Sequence, residues 1–276
     1  MDYAQVLVAV DDGPAGQTRL EFCRELAIAT RSGVIGLAAA SHPPSPLGAE
    51  LGGVLSAELL TAYREAADFE LMQAHTAFTL HLSGPDIVSH WIQAHGDPTA
   101  FCVRQARFAD LIVLGIRNER APYGAPDPTE VLIGSGRPVL MIPPEPSRRL
   151  VGEHALIAWR DGKEARRALA AAIPLLRLAS GVTVVTIRSE DEPGQGTEEL
   201  AELADYLAKH GVVASIVDDS LMHETVGRHL LQEAATHGCG LIVAGGYGHT
   251  RLQEWMLGGV TRDLVQESSI CLLLAH

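Results

Sequence analysis

Apolar residues along the chain fall into short runs separated by amphipathic stretches, and the alternation is regular. Val6 to Val10 is a strand-like run that leads into the turn Asp11-Asp12-Gly13-Pro14, after which Leu20, Cys23, Ala27 and Thr30 recur at helical spacing. Gly33 opens a second apolar run, Val34 to Ala40. Further runs at Ile87 to Ile92, Leu111 to Gly115 and Arg137 to Ile142 are separated by helical segments near residues 55–80 and 98–108. Strands that alternate with helices in this way predict an α/β fold with a parallel sheet. Pro43, Pro44 and Pro46, and again Pro122, Pro126 and Pro128, mark long loops.

The same order restarts after Pro143-Pro144-Glu145-Pro146. His154 to Trp159 reads as a strand, and Ala165, Leu169, Ala172 and Leu176 form a helical stripe. Val182 to Ile187, Val212 to Val217 and Gly240 to Val243 then repeat the roles of Val34 to Ala40, Ile87 to Ile92 and Asp110 to Val113. The chain is an internal duplication. Aligning Ala9 with Ala158 and Leu111 with Leu241 leaves the first half longer between these points, and the surplus is placed around residues 41–80. Two units are expected, residues 1–147 and 153–276, each of ordinary domain size. The apolar terminal strand Ile270 to Ala275 is expected to pair along a sheet edge with its counterpart Val139 to Ile142. That pairing can close within one chain or between two chains of a homodimer, and the sequence leaves both open.

Composition narrows the function. Of 276 residues, 47% are hydrophobic and 20% charged, enough apolar surface for a packed core. With 21 basic against 34 acidic residues the net charge is -13, so nucleic acid and anionic membrane surfaces are not expected partners. Cys23, Cys102, Cys239 and Cys271 stand far apart without a Cys-x-x-Cys pair, as in a reduced cytoplasmic protein. The stretch Met1 to Val10 lacks the basic region of a signal peptide, and no apolar run approaches the roughly 20 residues of a membrane helix. A cytoplasmic location is expected.

The chemistry concentrates after the fourth strand of the second half. Gly245-Gly246-Tyr247-Gly248 is followed, nine residues on, by Gly258-Gly259-Val260-Thr261, a Gly-x-x-Gly-x9-Gly pattern. Glycine lets backbone N–H groups approach an anion, and a helix beginning near Val260 aims its amide ends at the same place. His249 and Arg251 beside the loop supply positive charge. Ligands of open parallel sheets favour the carboxyl ends of strands where strand order reverses.

Val8-Ala9-Val10-Asp11, Leu111 to Gly115 and the C-terminal glycine pattern together resemble the universal stress protein family, nearly over the whole chain and as a tandem pair. The resemblance implies two Rossmann-like units, each an open five-stranded parallel sheet flanked by helices. It also implies ATP or another adenine nucleotide as cofactor, with no metal beyond Mg2+ accompanying ATP. Carried over by position, Gly245, Gly248 and Gly258 contact phosphates and ribose, and Trp159, Arg160 and Asp161 border the adenosine. The full cofactor set adds Gly246, His249, Gly259, Val260 and Thr261. The chain departs from the family at Gly259, where a Ser or Thr hydroxyl is expected, and at Arg160, where a carboxylate is expected. The first half keeps Asp11, but its loop reads Gly115-Ile116-Arg117-Asn118 and runs into prolines, so it is read as degenerate and structural or regulatory.

Dedicated catalysis has no motif: no Gly-x-Ser-x-Gly elbow, no Walker-type phosphate loop and no His-Glu-x-x-His. Gly134-Ser135-Gly136 is read as a tight turn and Ser189 to Glu192 as a solvated loop. His75/His81 and His223/His229 stand six apart, off the spacing of one helical face, so no metal site is expected. Three functions follow in order: adenine-nucleotide sensing at one C-terminal site, a non-binding scaffold of the same fold, and slow nucleotide hydrolysis.

Overall fold

The computed structural model describes residues 2–40, 57–116, 125–188, 197–220, 225–246 and 259–276. The first half runs β1 (Gln5–Ala9), α1 (Pro14–Thr30), β2 (Gly33–Ala40), α2 (Ala57–Leu82), β3 (Ser89–His95), α3 (Pro98–Gln105), β4 (Leu111–Gly115), α4 (Pro128–Ser135) and β5 (Val139–Ile142). The second runs β6 (His154–Ala158), α5 (Lys163–Leu176), β7 (Val182–Arg188), α6 (Thr197–Lys209), β8 (Ala214–Ser220), α7 (Val226–Thr236), β9 (Cys239–Gly245), α8 (Gly259–Glu267) and β10 (Cys271–Ala275). Helix starts are written locally. Asp97 and Asp127 cap α3 and α4 by accepting from backbone N–H groups, each with proline in the first turn, and Thr225 caps α7. Gly136 ends α4 at φ 63, the left-handed conformation glycine adopts without steric cost, so the turn expected at Gly134 to Gly136 falls on Gly136 alone, while Gly134 and Ser135 are the last residues of the helix.

All ten strands join one sheet in the order β3-β2-β1-β4-β5-β10-β9-β6-β7-β8. Each half contributes a doubly wound parallel set whose order reverses between its first and fourth strands. At the centre β5 and β10 run antiparallel, with Met141 opposite Leu272, Leu140 opposite Leu273 and Val139 opposite Leu274. The expected pairing of terminal strands therefore closes within the chain. Both sides of β5 and of β10 are occupied by neighbours, so neither presents a free edge to a second chain.

Further contacts tie the halves together. Tyr3 donates its hydroxyl to the Ala171 carbonyl at 2.6 Å, and burial pushes that phenol above its ordinary range. Ser147 N–H donates to the Ser269 carbonyl at 2.8 Å, and Arg149 fastens the connection between the halves to Glu25 of α1. The first half's surplus includes α2, twice the length of its counterpart α6, whereas residues 41–56 lie outside the described residues. The four cysteines are free and buried. Burial raises the thiols of Cys23 and Cys102 to about 12, and that of Cys239 to about 11, so they pack as small apolar groups. Among the described residues no helix is long and apolar enough to cross a membrane.

The edge strands sit later than their apolar runs predict. The runs Ile87 to Ile92 and Val212 to Val217 become strands at Ser89–His95 and Ala214–Ser220. Ile87 and Val212 are buried in the connection before each strand, while Val88 and Val213 point to solvent. An edge strand has one neighbour and one wet side, so its last residues are polar and the apolar run does not mark its end.

The centre of the sheet generates a stability prediction. Leu140 and Leu273 are register partners, 1% and 0% exposed. Leu140→Ala and Leu273→Ala are each expected to cost about 2–5 kcal/mol, measured by urea denaturation. The double variant is expected to fall short of additivity by about 0.5 kcal/mol or more, because both changes open one shared space.

Candidate functional site

Two crevices follow from the topology, one outside the carboxyl ends of β1 and β4 and one outside those of β6 and β9. Because the centre is antiparallel, the carboxyl ends of the two halves point in opposite directions and so do the crevices. Their chemistry differs because the side chains at equivalent positions differ.

The first crevice is filled by its own chain. Arg19, buried on α1, donates from Nε to the Ala9 carbonyl at 2.7 Å and pairs through Nη2 with Asp11 Oδ2. Its Nη1 stands 2.7 Å from where a Cβ on Gly115 would be. The guanidinium thus spans from the end of β1 to the end of β4, and Asp11 is neutralised internally. Gly16 is required beside it, since a Cβ there would lie 2.4 Å from the Asp11 carbonyl and carboxylate oxygens.

The equivalent positions of the second half carry other residues. Aligning β1-α1 with β6-α5 puts Trp159 at Val10, Arg160 at Asp11 and Ala168 at Arg19. Trp159 is 8% exposed and its N–H continues the ladder to the Val185 carbonyl at 2.9 Å, but its indole Nε1 is buried without a hydrogen-bond partner. Arg160 is exposed. Asp161 is also exposed and accepts a fork from Arg166, from Nε at 2.7 Å and from Nη2, which holds its carboxyl below the ordinary range. That fork ties Asp161 to α5.

Gly245 and Gly246 close the end of β9 for packing reasons of their own. A Cβ on Gly245 would meet the Ala165 backbone nitrogen at 2.7 Å, so glycine here lets the strand end touch the first turn of α5. The Gly246 N–H is committed to the Ala275 carbonyl at 2.8 Å, and its Cα faces Leu132 of α4 in the other half. Its amide is therefore spent on the sheet. Gly259 begins α8 and is the reverse case: it is exposed, and a Cβ there would meet nothing within 4 Å. The first amides of α8, at Gly259, Val260 and Thr261, have no partner within the helix by the geometry of a helix start, and Thr261 itself is 5% exposed. Gly248, His249, Arg251 and Gly258 lie outside the described residues.

Sequence reasoning missed four residues here. Among the described residues, the buried side-chain polar atoms without a hydrogen-bond partner are Trp159 Nε1, Glu164 Oε1, Glu199 Oε1 and Asp263 Oδ2. Glu164 and Glu199 stand in the first turns of α5 and α6, and Asp263 lies in α8, so all four belong to the second half. Helices follow strands, and the first turns of α5 and α6 therefore sit at the carboxyl-end side of that half. Glu164 is 6% exposed, and its Oε1 has the Lys163 ammonium 3.4 Å away as an ion-pair neighbour. Arg19 is the fourth missed residue. Its signal is present in the aligned halves as an arginine opposite Ala168.

Two predictions follow. Gly245→Ala is expected to destabilise by about 1–3 kcal/mol through backbone overlap, while Gly259→Ser stays within about 0.5 kcal/mol of the parent in the same chemical denaturation. In the first half, Arg19→Met is expected to cost about 3 kcal/mol by leaving Asp11 unpaired, and adding Asp11→Asn is expected to recover much of that loss.

No family model matches the sequence, and no curated protein matches it. Solved structures do. A universal stress protein from Archaeoglobus fulgidus DSM 4304 superposes with a TM-score of 0.73 at 16% identity, covering 98% of this chain and 95% of that one. A functionally unknown protein from Pseudomonas aeruginosa PAO1 gives a TM-score of 0.59 at 17% identity, covering 99% and 92%. A protein from Pseudomonas aeruginosa UCBPP-PA14 gives 0.60 at 18%, covering 99% and 93%. The reversal of strand order in each half, repeated across an antiparallel centre, is thus a fold this chain shares over almost its whole length with a universal stress protein.

Proposed function

We propose that the chain is a tandem universal stress protein of the cytoplasm that binds an adenine nucleotide at one site, in the second half, and senses it rather than turning it over. The observation that carries this reading is the asymmetry of unsatisfied polar groups. Arg19 pairs with Asp11 at the β1/β4 crevice, whereas among the described residues the half containing β6 and β9 holds a buried indole donor and buried oxygens of Glu199 and Asp263 without hydrogen bonds, and a Glu164 oxygen met only by the Lys163 ammonium. A buried polar group left unpaired costs about 1–3 kcal/mol, and a ligand that pairs it recovers that cost.

The residue chemistry suits a nucleoside. The Trp159 N–H is a donor to a ring nitrogen or hydroxyl oxygen, and the carboxylates accept from an exocyclic amine or ribose hydroxyls. The amide end of α8 at Gly259 favours the phosphates, with the helix dipole adding to the attraction. Units 1–147 and 153–276 then divide the work: the first, its crevice filled, supports the second, and Leu132 of α4 backs Gly246. Occupancy between the turn at residues 159–161 and the start of α8 would shift the population toward one arrangement of that surface.

Thermal denaturation with ATP and AMP tests this. A ligand at 100 times its Kd raises stability by about 2.7 kcal/mol, and a clear rise in Tm is expected. Gly259→Asp puts a carboxylate where a phosphate would sit, in open space and at a position favourable to the helix. It is expected to abolish the rise while leaving the unliganded Tm unchanged. An unchanged Tm at millimolar ATP and AMP would assign the fold to a scaffold, and steady phosphate release sensitive to Gly259→Asp would assign it to slow hydrolysis.

A further inference from the structure

The edge strand β8 and the helix α7 that follows it in the chain bring together a second group of polar side chains. His229 and Glu233 are one helical turn apart and share a face of α7. Asp219 projects from β8, the last strand of the sheet. His229 Nε2 lies 2.9 Å from Asp219 Oδ2, and donor atoms of Asp219, His229 and Glu233 all fall within 4.8 Å of one another. On the far side Glu233 Oε2 faces His237 Nε2 at 3.5 Å.

We infer that Asp219, His229 and Glu233 form a site for a divalent transition-metal ion, Zn2+ by preference, that bridges the edge strand to α7. Ligand atoms bound at roughly 2.0–2.1 Å in a tetrahedron stand about 3.3 Å apart, so side-chain rotation alone brings these donors into range. One imidazole nitrogen and two carboxylate oxygens suit Zn2+ better than Mg2+ or Ca2+, which take oxygen donors. Two carboxylates with a neutral imidazole balance the ion's charge. His237 stands behind Glu233 as an orienting partner. The His229 side chain is 16% exposed and that of Asp219 40%, so the site is sheltered on the helix side and open to water on the other. Water fills the remaining coordination positions. The six-residue interval between His223 and His229 hid the group, because the pattern that builds it is His-x-x-x-Glu on a helix plus an aspartate from a strand distant in spacing but adjacent in space.

Calorimetric titration of the chelator-stripped full chain with Zn2+ tests the inference, with Co2+ as a spectroscopic probe of nitrogen and oxygen ligation. Stoichiometric Zn2+ binding is expected, weakened at least about tenfold in both His229→Gln and Glu233→Gln. Both variants sit on a partly exposed helix face, and their metal-free Tm reports whether they fold. Asp219→Asn keeps a hydrogen-bond acceptor for His229 and is expected to lose Zn2+ affinity without losing metal-free stability. Absence of stoichiometric binding, binding unchanged in all three variants, or Mg2+ competing on equal terms would each overturn the site. His229→Gln is expected to leave the ATP-dependent rise in Tm intact, which separates this site from the proposed nucleotide site.

Discussion

The antiparallel pairing of Val139–Ile142 with Cys271–Ala275 is the constraint on which the rest of the molecule hangs. Every residue of both strands is buried. Strands apolar on both faces need helices above and below and a neighbour on each side, and an exposed edge of that composition would pair with any available chain. Joining the two edges makes them the middle of one sheet and passes the edge role to β3 and β8. Those strands carry Ser89, His90, Gln93 and His95, and Asp218, Asp219 and Ser220, which is the polar composition an edge tolerates. The same pairing reverses the direction of one half relative to the other, so the two switch points face apart and the halves are free to diverge.

They have diverged by exchange of side chains at fixed backbone positions. Both helices after the first strand keep a buried leucine at the same place, Leu20 and Leu169, 0% and 4% exposed. One position earlier, arginine stands in one half and alanine in the other. One position after the first strand, valine stands against tryptophan. In the first half a small residue goes with a long cation that answers an aspartate. In the second a large ring goes with a small neighbour, and the residue in the aspartate's place is itself a cation. The backbone is duplicated, whereas among the described residues the buried side-chain polar atoms without a hydrogen-bond partner all lie in the second half.

The alternation of strands and helices, the duplication and the terminal pairing are legible in the sequence because they rest on apolar runs long enough to be buried, such as Leu111 to Gly115, whose bounds match the strand. Edge strands were displaced because burial of Ile87 and Val212 belongs to their connections and not to the ladder. Of the glycines, Gly245 and Gly246 were read as ligand positions, while the structure gives each a packing duty that spacing alone does not reveal. Trp159 was read as bordering a ligand, and its ring is mostly buried. Glu164 and Glu199 are illegible because a carboxylate near a helix start reads as an ordinary charge at the amide end, and Asp263 because a carboxylate within a short helix reads as a solvated one. Only burial without a partner sets them apart.

That distinction also separates the four unpaired atoms from one another. A carboxylate in the first turn of a helix gains about 0.3–1 kcal/mol from the dipole, so Glu164 and Glu199 are partly compensated where they stand. Lys163 relieves Glu164 further, and Arg262 Nε lies 3.7 Å from the other oxygen of Asp263. The indole N–H of Trp159 has no such relief, since it carries no charge for a dipole to act on. Against a net folding stability of about 5–15 kcal/mol, an unpaired donor costing about 1–3 kcal/mol is a measurable burden. The alternative of a larger apolar ring, phenylalanine, would avoid it. Tryptophan is therefore the residue at this crevice whose presence folding alone explains least.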